Sequence, residues 1–245
     1  NTPMIESLLL TAARVCTFEQ DRPLTNASGF FFQRDERLFL VTSRHVMIDE
    51  SSRHFPDRIE IELHISPDNL GESIGFSIPL YRNNRSIWRQ GSDTAGEIDV
   101  AVIEIDRTAF PSTSVYRAFT PDHLPVQFDQ IEVGTSVLVV GFPLGFHDTL
   151  HHMPVVRHAV IASSFGLRFK GEGYFLTDAR THRGTSGAPI VMRTTDMDQS
   201  KGDLPWMLLG IHSARLEVGT PDLKLDEGLG LNCAWYSDIL QTLTE

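Results

Sequence analysis

The chain has 245 residues, with 32 acidic against 21 basic ones and a formal net charge of -11. Such a length buries a substantial core as one large or two small domains, and the acidic balance argues against a nucleic-acid partner, whose phosphates call for clustered Lys and Arg. No apolar run approaches the roughly 18 residues of a membrane span, and Cys16 and Cys233 are too few for a disulfide-built scaffold.

From the amino terminus, helical signal runs roughly from Pro3 to Ala13. Within it, Met4 to Leu10 carries Glu6 and no basic leader, so it does not read as a signal peptide. A soluble protein is expected, with the choice between cytoplasm and periplasm open. The apolar run Leu38–Val41 follows, then Ile59–Ile65 and Asp99–Ile105, which alternate with period two as half-buried strands do. Pro111, Pro121 and Pro125, set among polar residues between Thr108 and Asp129, mark a crossover. Ser136–Val140 and Val155–Ile161 are further strands. A last helix is expected from Tyr236 to Leu243, with Ser237 and Asp238 placed to cap it. Many short strands between Gly, Pro, Asn and Asp punctuation predict an all-β protein of barrel type. Its halves are residues 1–107 and 130–245, joined by 108–129. Each cysteine sits in an apolar segment, where a buried thiol is the default.

The segment Arg183-Gly184-Thr185-Ser186-Gly187-Ala188-Pro189 carries the strongest chemical signal. A serine between glycines sits where the backbone must turn tightly and present its N–H groups. A hydroxyl becomes a nucleophile only when a base removes its proton, so the motif predicts a histidine and an acid to orient it. His45 follows Leu38–Val41 through Thr42-Ser43-Arg44, and Asp99 opens its alternating strand. Asp93 and Asp106 flank that strand as rival acids. His147, His151 and His152 around Asp148 read as loop histidines rather than metal ligands, since no flanking cysteine or second ligand segment accompanies them. Gly171-Glu172-Gly173 is a turn, not a phosphate loop. No metal or cofactor is expected.

The order His45, Asp99, Ser186, together with Ala27-Ser28-Gly29-Phe30-Phe31-Phe32, Val140-Gly141-Phe142-Pro143, Thr177-Asp178-Ala179 and Gly210-Ile211-His212-Ser213, resembles the trypsin-like (chymotrypsin-fold) serine peptidases. It is most similar to the bacterial HtrA-like and glutamyl-endopeptidase branches. The resemblance implies two six-stranded antiparallel β-barrels of the chymotrypsin type with short terminal helices. His45 and Asp99 would lie on the first barrel, Ser186 on the second, and the active site between them. It implies a triad of Ser186 as nucleophile, His45 as base and Asp99 as its orienting acid. Gly184 and Ser186 would supply the backbone N–H groups of the oxyanion hole. Ser213 matches a serine that hydrogen-bonds the triad aspartate.

Departures from the digestive trypsins carry information too. There is no Ile-Val-Gly-Gly start, and Thr185 stands where an aspartate would receive a freed amino terminus. Thr181 and His212 match the pair that binds a P1 Glu or Gln oxygen in glutamyl endopeptidases and viral 3C-type proteases. Arg215 stands where that branch often has glycine, and by the resemblance would crowd the pocket mouth or add a cation to it; Arg180 replaces any trypsin-like acid, which disfavours cleavage after Lys or Arg. The expected function is a serine endopeptidase acting on protein or peptide substrates. The alternatives are a catalytically silent or ligand-activated protease-fold module that binds peptides, and an esterase of the α/β-hydrolase fold. The latter needs a glycine at position 188, which is alanine, and its acid and histidine after the serine.

Overall fold

Alternation of β-branched and aromatic residues with polar ones runs through most of the chain. The structure is a computed structural model that describes residues 5–194, 202–213 and 229–245. Among these residues the pattern becomes two antiparallel sheets. The first contains β1 (Ala12–Glu19), β2 (Arg22–Arg34), β3 (Arg37–Thr42), β4 (Arg58–His64), β5 (Ser73–Pro79), β8 (Trp88–Asp93) and β9 (Gly96–Ile105), in the order β5-β4-β1-β2-β3-β9-β8. A small ribbon of β6 (Tyr81–Arg82) and β7 (Arg85–Ser86) stands beside it. The second contains β10 (Ser136–Gly141), β11 (Val155–Val160), β12 (Tyr174–Thr177), β13 (Pro189–Arg193), β14 (Trp206–Ser213) and β15 (Asn232–Tyr236), in the order β11-β10-β13-β14-β15-β12. This is the double β-barrel architecture of the chymotrypsin type, with six strands in the second sheet and a seventh in the first.

Period-two alternation decides which way each strand faces. On β4, Ile59, Ile61 and Leu63 are buried while Glu60 and Glu62 are partly exposed. The long β2 is different, because Ala27–Phe32 is buried throughout. Its Ala27 and Phe31 pack with Leu38, Leu40 and Ile103 inside the first sheet. Phe30 and Phe32 point the other way, into a cluster with Val140, Val191 and Trp235 of the second sheet. β14 and β15 repeat this from the far side: Leu209 and Ala234 fill the second sheet's own core, while Leu208 and Trp235 join the shared cluster. Strands buried on both faces read as continuous apolar runs, which is why Gly29-Phe30-Phe31-Phe32 shows no alternation.

Two terminal expectations are corrected. Of the helix expected from Pro3 to Ala13, the described residues form one 3-10 turn, Ser7–Leu10, and β1 already starts at Ala12. Pairing of Ala12 with Phe30 and of Val15 with both Ala27 and Ile61 places β1 between two strands. Those ladder bonds and the burial of Ala13 and Val15 override a weak local helix preference. At the other end Tyr236 belongs to β15, so the helix α2 is shorter, Ile239–Leu243. Asp238 holds its N-cap position without a side-chain cap bond, and the Ser237 hydroxyl donates instead to the Leu208 carbonyl at 2.7 Å. Cys16 on β1 and Cys233 on β15 are thiols in different sheets.

The shared cluster yields a direct test. Phe30 is fully buried there, its ring edge-on to Phe119 with centroids 5.8 Å apart. Phe30→Ala is expected to lower stability by about 3–5 kcal/mol in denaturant unfolding, and a loss below about 1 kcal/mol would contradict its place in the core.

Candidate active site

The pairing of β3 with β9 brings the first two functional groups together. Thr42 lies opposite Ala101 in an antiparallel register, so residues just after Thr42 meet residues just before Ala101. Ser43 opens a single helical turn, α1 (Arg44–Met47), and that turn carries His45 over Asp99. The His45 Nδ1 lies 2.7 Å from Asp99 Oδ2, and the His45 backbone N–H donates to Asp99 Oδ1 at 2.9 Å. Ser213, at the end of β14, donates its hydroxyl to Oδ2 at 3.1 Å. Both carboxylate oxygens are thus occupied. With a proton on Nδ1, the imidazole presents Nε2 as an acceptor.

Electrostatics agree with that geometry. Asp99 is 2% exposed. Burial works against its ionisation, but the charge of His45, the two bonds from His45 and the Ser213 hydroxyl outweigh it and hold the carboxyl below the ordinary aspartate range. Neither rival acid faces His45. Asp93 pairs with Arg168, and Asp106 accepts from the N–H and hydroxyl of Thr108.

The turn carrying Ser186 depends on two glycines with left-handed backbones, Gly184 at φ +93° and Gly187 at φ +94°. A Cβ on Gly187 would sit 2.0 Å from the Ser28 carbonyl oxygen, and one on Gly184 would sit 2.6 Å from that of Phe142. No other residue type fits either position. Four successive carbonyls of this turn are anchored. That of Arg183 accepts the Leu144 N–H, and that of Gly184 accepts the Ser28 hydroxyl at 2.7 Å. Those of Thr185 and Ser186 accept the N–H groups of Ala188 and Ser28, each at 3.0 Å. In a trans peptide the N–H points opposite to the carbonyl. The anchors on Arg183 and Thr185 therefore turn the N–H groups of Gly184 and Ser186 away from Leu144 and Ala188 respectively. Thr185 is 3% exposed and offers no carboxylate.

Beside this turn, His212 is bonded through its backbone: its carbonyl accepts the Gly187 N–H and its N–H donates to the Ala188 carbonyl, both at 2.9 Å. Its Nε2 lies 2.9 Å from the Thr181 hydroxyl, so these two predicted residues do meet. Thr181 also donates to Asn232 Oδ1 at 3.4 Å, and Asn232 donates to the Ala179 carbonyl. His212 is fully buried, and burial first, with the charge of His45 second, drives its pKa down to about 3. Arg215 lies outside the described residues, and Arg180 is exposed. The loop histidines make local bonds: His151 pairs with Asp148 at 2.8 Å and His147 bonds the Gly145 carbonyl. Among the described residues no three His, Cys, Asp or Glu side chains gather as a metal site, and no helix is long and apolar enough to cross a membrane.

Sequence reasoning missed Ser28 and Asn232. Neither lies in a motif that names a side-chain role, and the Ser28 hydroxyl meets its partner across 156 positions of chain.

Comparison with known proteins gives a consistent picture. The trypsin-like peptidase domain profile matches residues 27–197, more than half of the chain. No curated protein sequence matches. Among solved structures, the chain is similar to the serine endoprotease from Yersinia pestis, at 17% identity and a TM-score of 0.55. That match covers 100% of this chain and 66% of the other, so the chain spans just under two thirds of that protein's length and shares its fold.

The buried imidazole has a measurable consequence. His212 is neutral in the folded protein down to about pH 3, whereas the unfolded chain protonates it near 6.5. Acid therefore favours unfolding, and stability is lost as pH falls through that window. His212→Gln should flatten the stability profile between about pH 6 and 4.5 by about 1.4 kcal/mol per pH unit, one proton's worth. An unchanged slope would mean that the folded protein protonates His212.

Proposed function

The chain belongs to the trypsin-like peptidase family, and on that footing we propose that it is a serine endopeptidase with Ser186 as nucleophile, His45 as base and Asp99 as orienting acid. The observation that carries this reading is the two-point hold of Asp99 on His45, at Nδ1 and at the backbone N–H. A carboxylate so placed selects the tautomer whose Nε2 takes up a proton, and it stabilises the imidazolium that results. His45 accepts the Ser186 proton as Oγ attacks the scissile carbonyl. The oxygen of the tetrahedral intermediate is met by the N–H groups of Gly184 and Ser186. His45 then passes the proton to the leaving amine, and water attacks the acyl-enzyme by the same route in reverse.

For substrate choice, the pair Thr181 and His212 supports a preference for Glu or Gln at P1. Their hydroxyl and imidazole, 2.9 Å apart and bonded to each other and to Asn232 here, are the groups that would turn their protons to a side-chain carbonyl oxygen. A neutral imidazole serves the Gln amide as it stands, while a Glu carboxylate would favour its protonation.

Ser186→Ala is expected to abolish both peptide hydrolysis and labelling by a fluorophosphonate probe while the protein still folds. Retained hydrolysis in that variant would sink the reading. Asp99→Asn leaves the imidazole in the wrong tautomer and should lower kcat by about 10⁴.

Cleavage of a peptide library tests the P1 preference separately. His212→Ala should cost roughly ten- to a hundredfold in kcat/KM for Glu and Gln substrates alone. A profile dominated by Val, Ala or Leu at P1 would reject the preference and leave the peptidase assignment standing.

A further inference from the structure

Within the buried stretch Ala27–Phe32 one residue is polar, Ser28, and it is fully buried. A hydroxyl in an apolar strand is costly unless both its donor and its acceptor are used. Ser28 uses both, and every partner of its hydroxyl belongs to the opposite sheet or its loops. Oγ donates to the Gly184 carbonyl at 2.7 Å and accepts the Phe142 N–H at 3.0 Å. Its backbone N–H donates to the Ser186 carbonyl at 3.0 Å, and its own carbonyl accepts the Thr42 hydroxyl at 2.8 Å. Space for the group is kept by Gly141, where a Cβ would come within 2.9 Å of Ser28 Oγ.

These contacts converge on the two peptides that flank Gly184. Phe142 opens the turn Pro143–Gly145, in which Leu144 sits at φ +54° and offers its N–H to the Arg183 carbonyl. A branched side chain holds a left-handed backbone only where its surroundings impose it. Ser28 thus holds the Gly184 carbonyl directly and the Arg183 carbonyl through the Phe142–Leu144 turn. Without the hydroxyl, Phe142 N–H and Gly184 C=O lose a buried partner together. Glycine at 184 accepts either sign of φ, so no side chain opposes rotation of the Arg183–Gly184 peptide. That rotation would turn a carbonyl, not an N–H, toward the substrate oxygen.

We propose that Ser28 is a positioning residue for the oxyanion turn: from the first sheet, its hydroxyl fixes the peptides on either side of Gly184 so that the Gly184 N–H faces the substrate. The proposal rests on the reading of Ser186 as nucleophile. It also accounts for how the turn is ordered although Thr185 cannot receive a freed amino terminus.

The test is Ser28→Ala, which keeps the backbone bond to Ser186 and removes only the hydroxyl. kcat should fall about ten- to a hundredfold, a displaced donor costing less than a deleted one, while KM changes by less than about threefold. Affinity for a peptide aldehyde, whose hemiacetal oxygen takes the same N–H groups, should weaken in step with kcat/KM. Thr17→Val is the control: it removes an equally buried hydroxyl, bonded to Thr25 at 2.7 Å, and should cost stability but not kcat. Ser28→Cys leaves no cavity and puts a poor donor and acceptor, on a slightly larger atom, in the hydroxyl's place. It is expected to lose kcat likewise, and it carries the test if the alanine variant does not fold. Wild-type kcat and aldehyde affinity in either Ser28 variant would overturn the proposal. Wild-type protein that fails to react with a fluorophosphonate at Ser186 would instead reject the nucleophile reading.

Discussion

Everything in this molecule hangs on strands that are apolar on both faces. β2, β3 and β9 of the first sheet, and β10, β13, β14 and β15 of the second, each put one face into their own sheet's core and the other into a common layer. Phe30, Phe32, Val100 and Val102 meet Val140, Val191, Leu208 and Trp235 there. At roughly 25 cal/mol for each Å² of apolar surface removed from water, such a layer outweighs any single polar contact across it. It also fixes which strand ends face each other, and so which functional groups can meet.

Polar contacts at the edge of that layer then set angles rather than supply bulk stability. Ser213 of the second sheet donates to Asp99 of the first, and Ser43 at the start of α1 donates to the His212 carbonyl at 3.3 Å. Ser28 completes the set on the Ser186 side. All three hydroxyls are buried, and a buried hydroxyl left without a partner is costly. The sheets are consequently held in one relative position at the site, with little freedom to slide.

The charge distribution follows from the same packing. Asp99 is ionised although buried because His45 and three hydrogen bonds compensate it. His212, buried and near a second imidazole, is also shifted downward, and for an imidazole that means it stays uncharged. Both groups therefore lack their proton at neutral pH, Asp99 as an anion and His212 as a neutral ring.

Much of this was written in the sequence, because it is local. Alternation on β4 and β9, the apolar run of β3, and the left-handed turns at Gly184 and Gly187 are each legible within a few residues. His45, Asp99 and Ser186 stand out for the same reason, since each lies in a short motif at a strand end. Tertiary structure alone decided the rest. The segment from Ala12 became a strand because β2 and β4 flank it, a partnership that no window around Ala12 contains. Asn232 meets Thr181 only once β12 and β15 have paired, and Ser28 meets Gly184 only after the two sheets have closed on their common layer. A hydroxyl's role depends on what lies across from it. For Ser28 that partner is 156 residues away, and only the packed fold brings it within 2.7 Å.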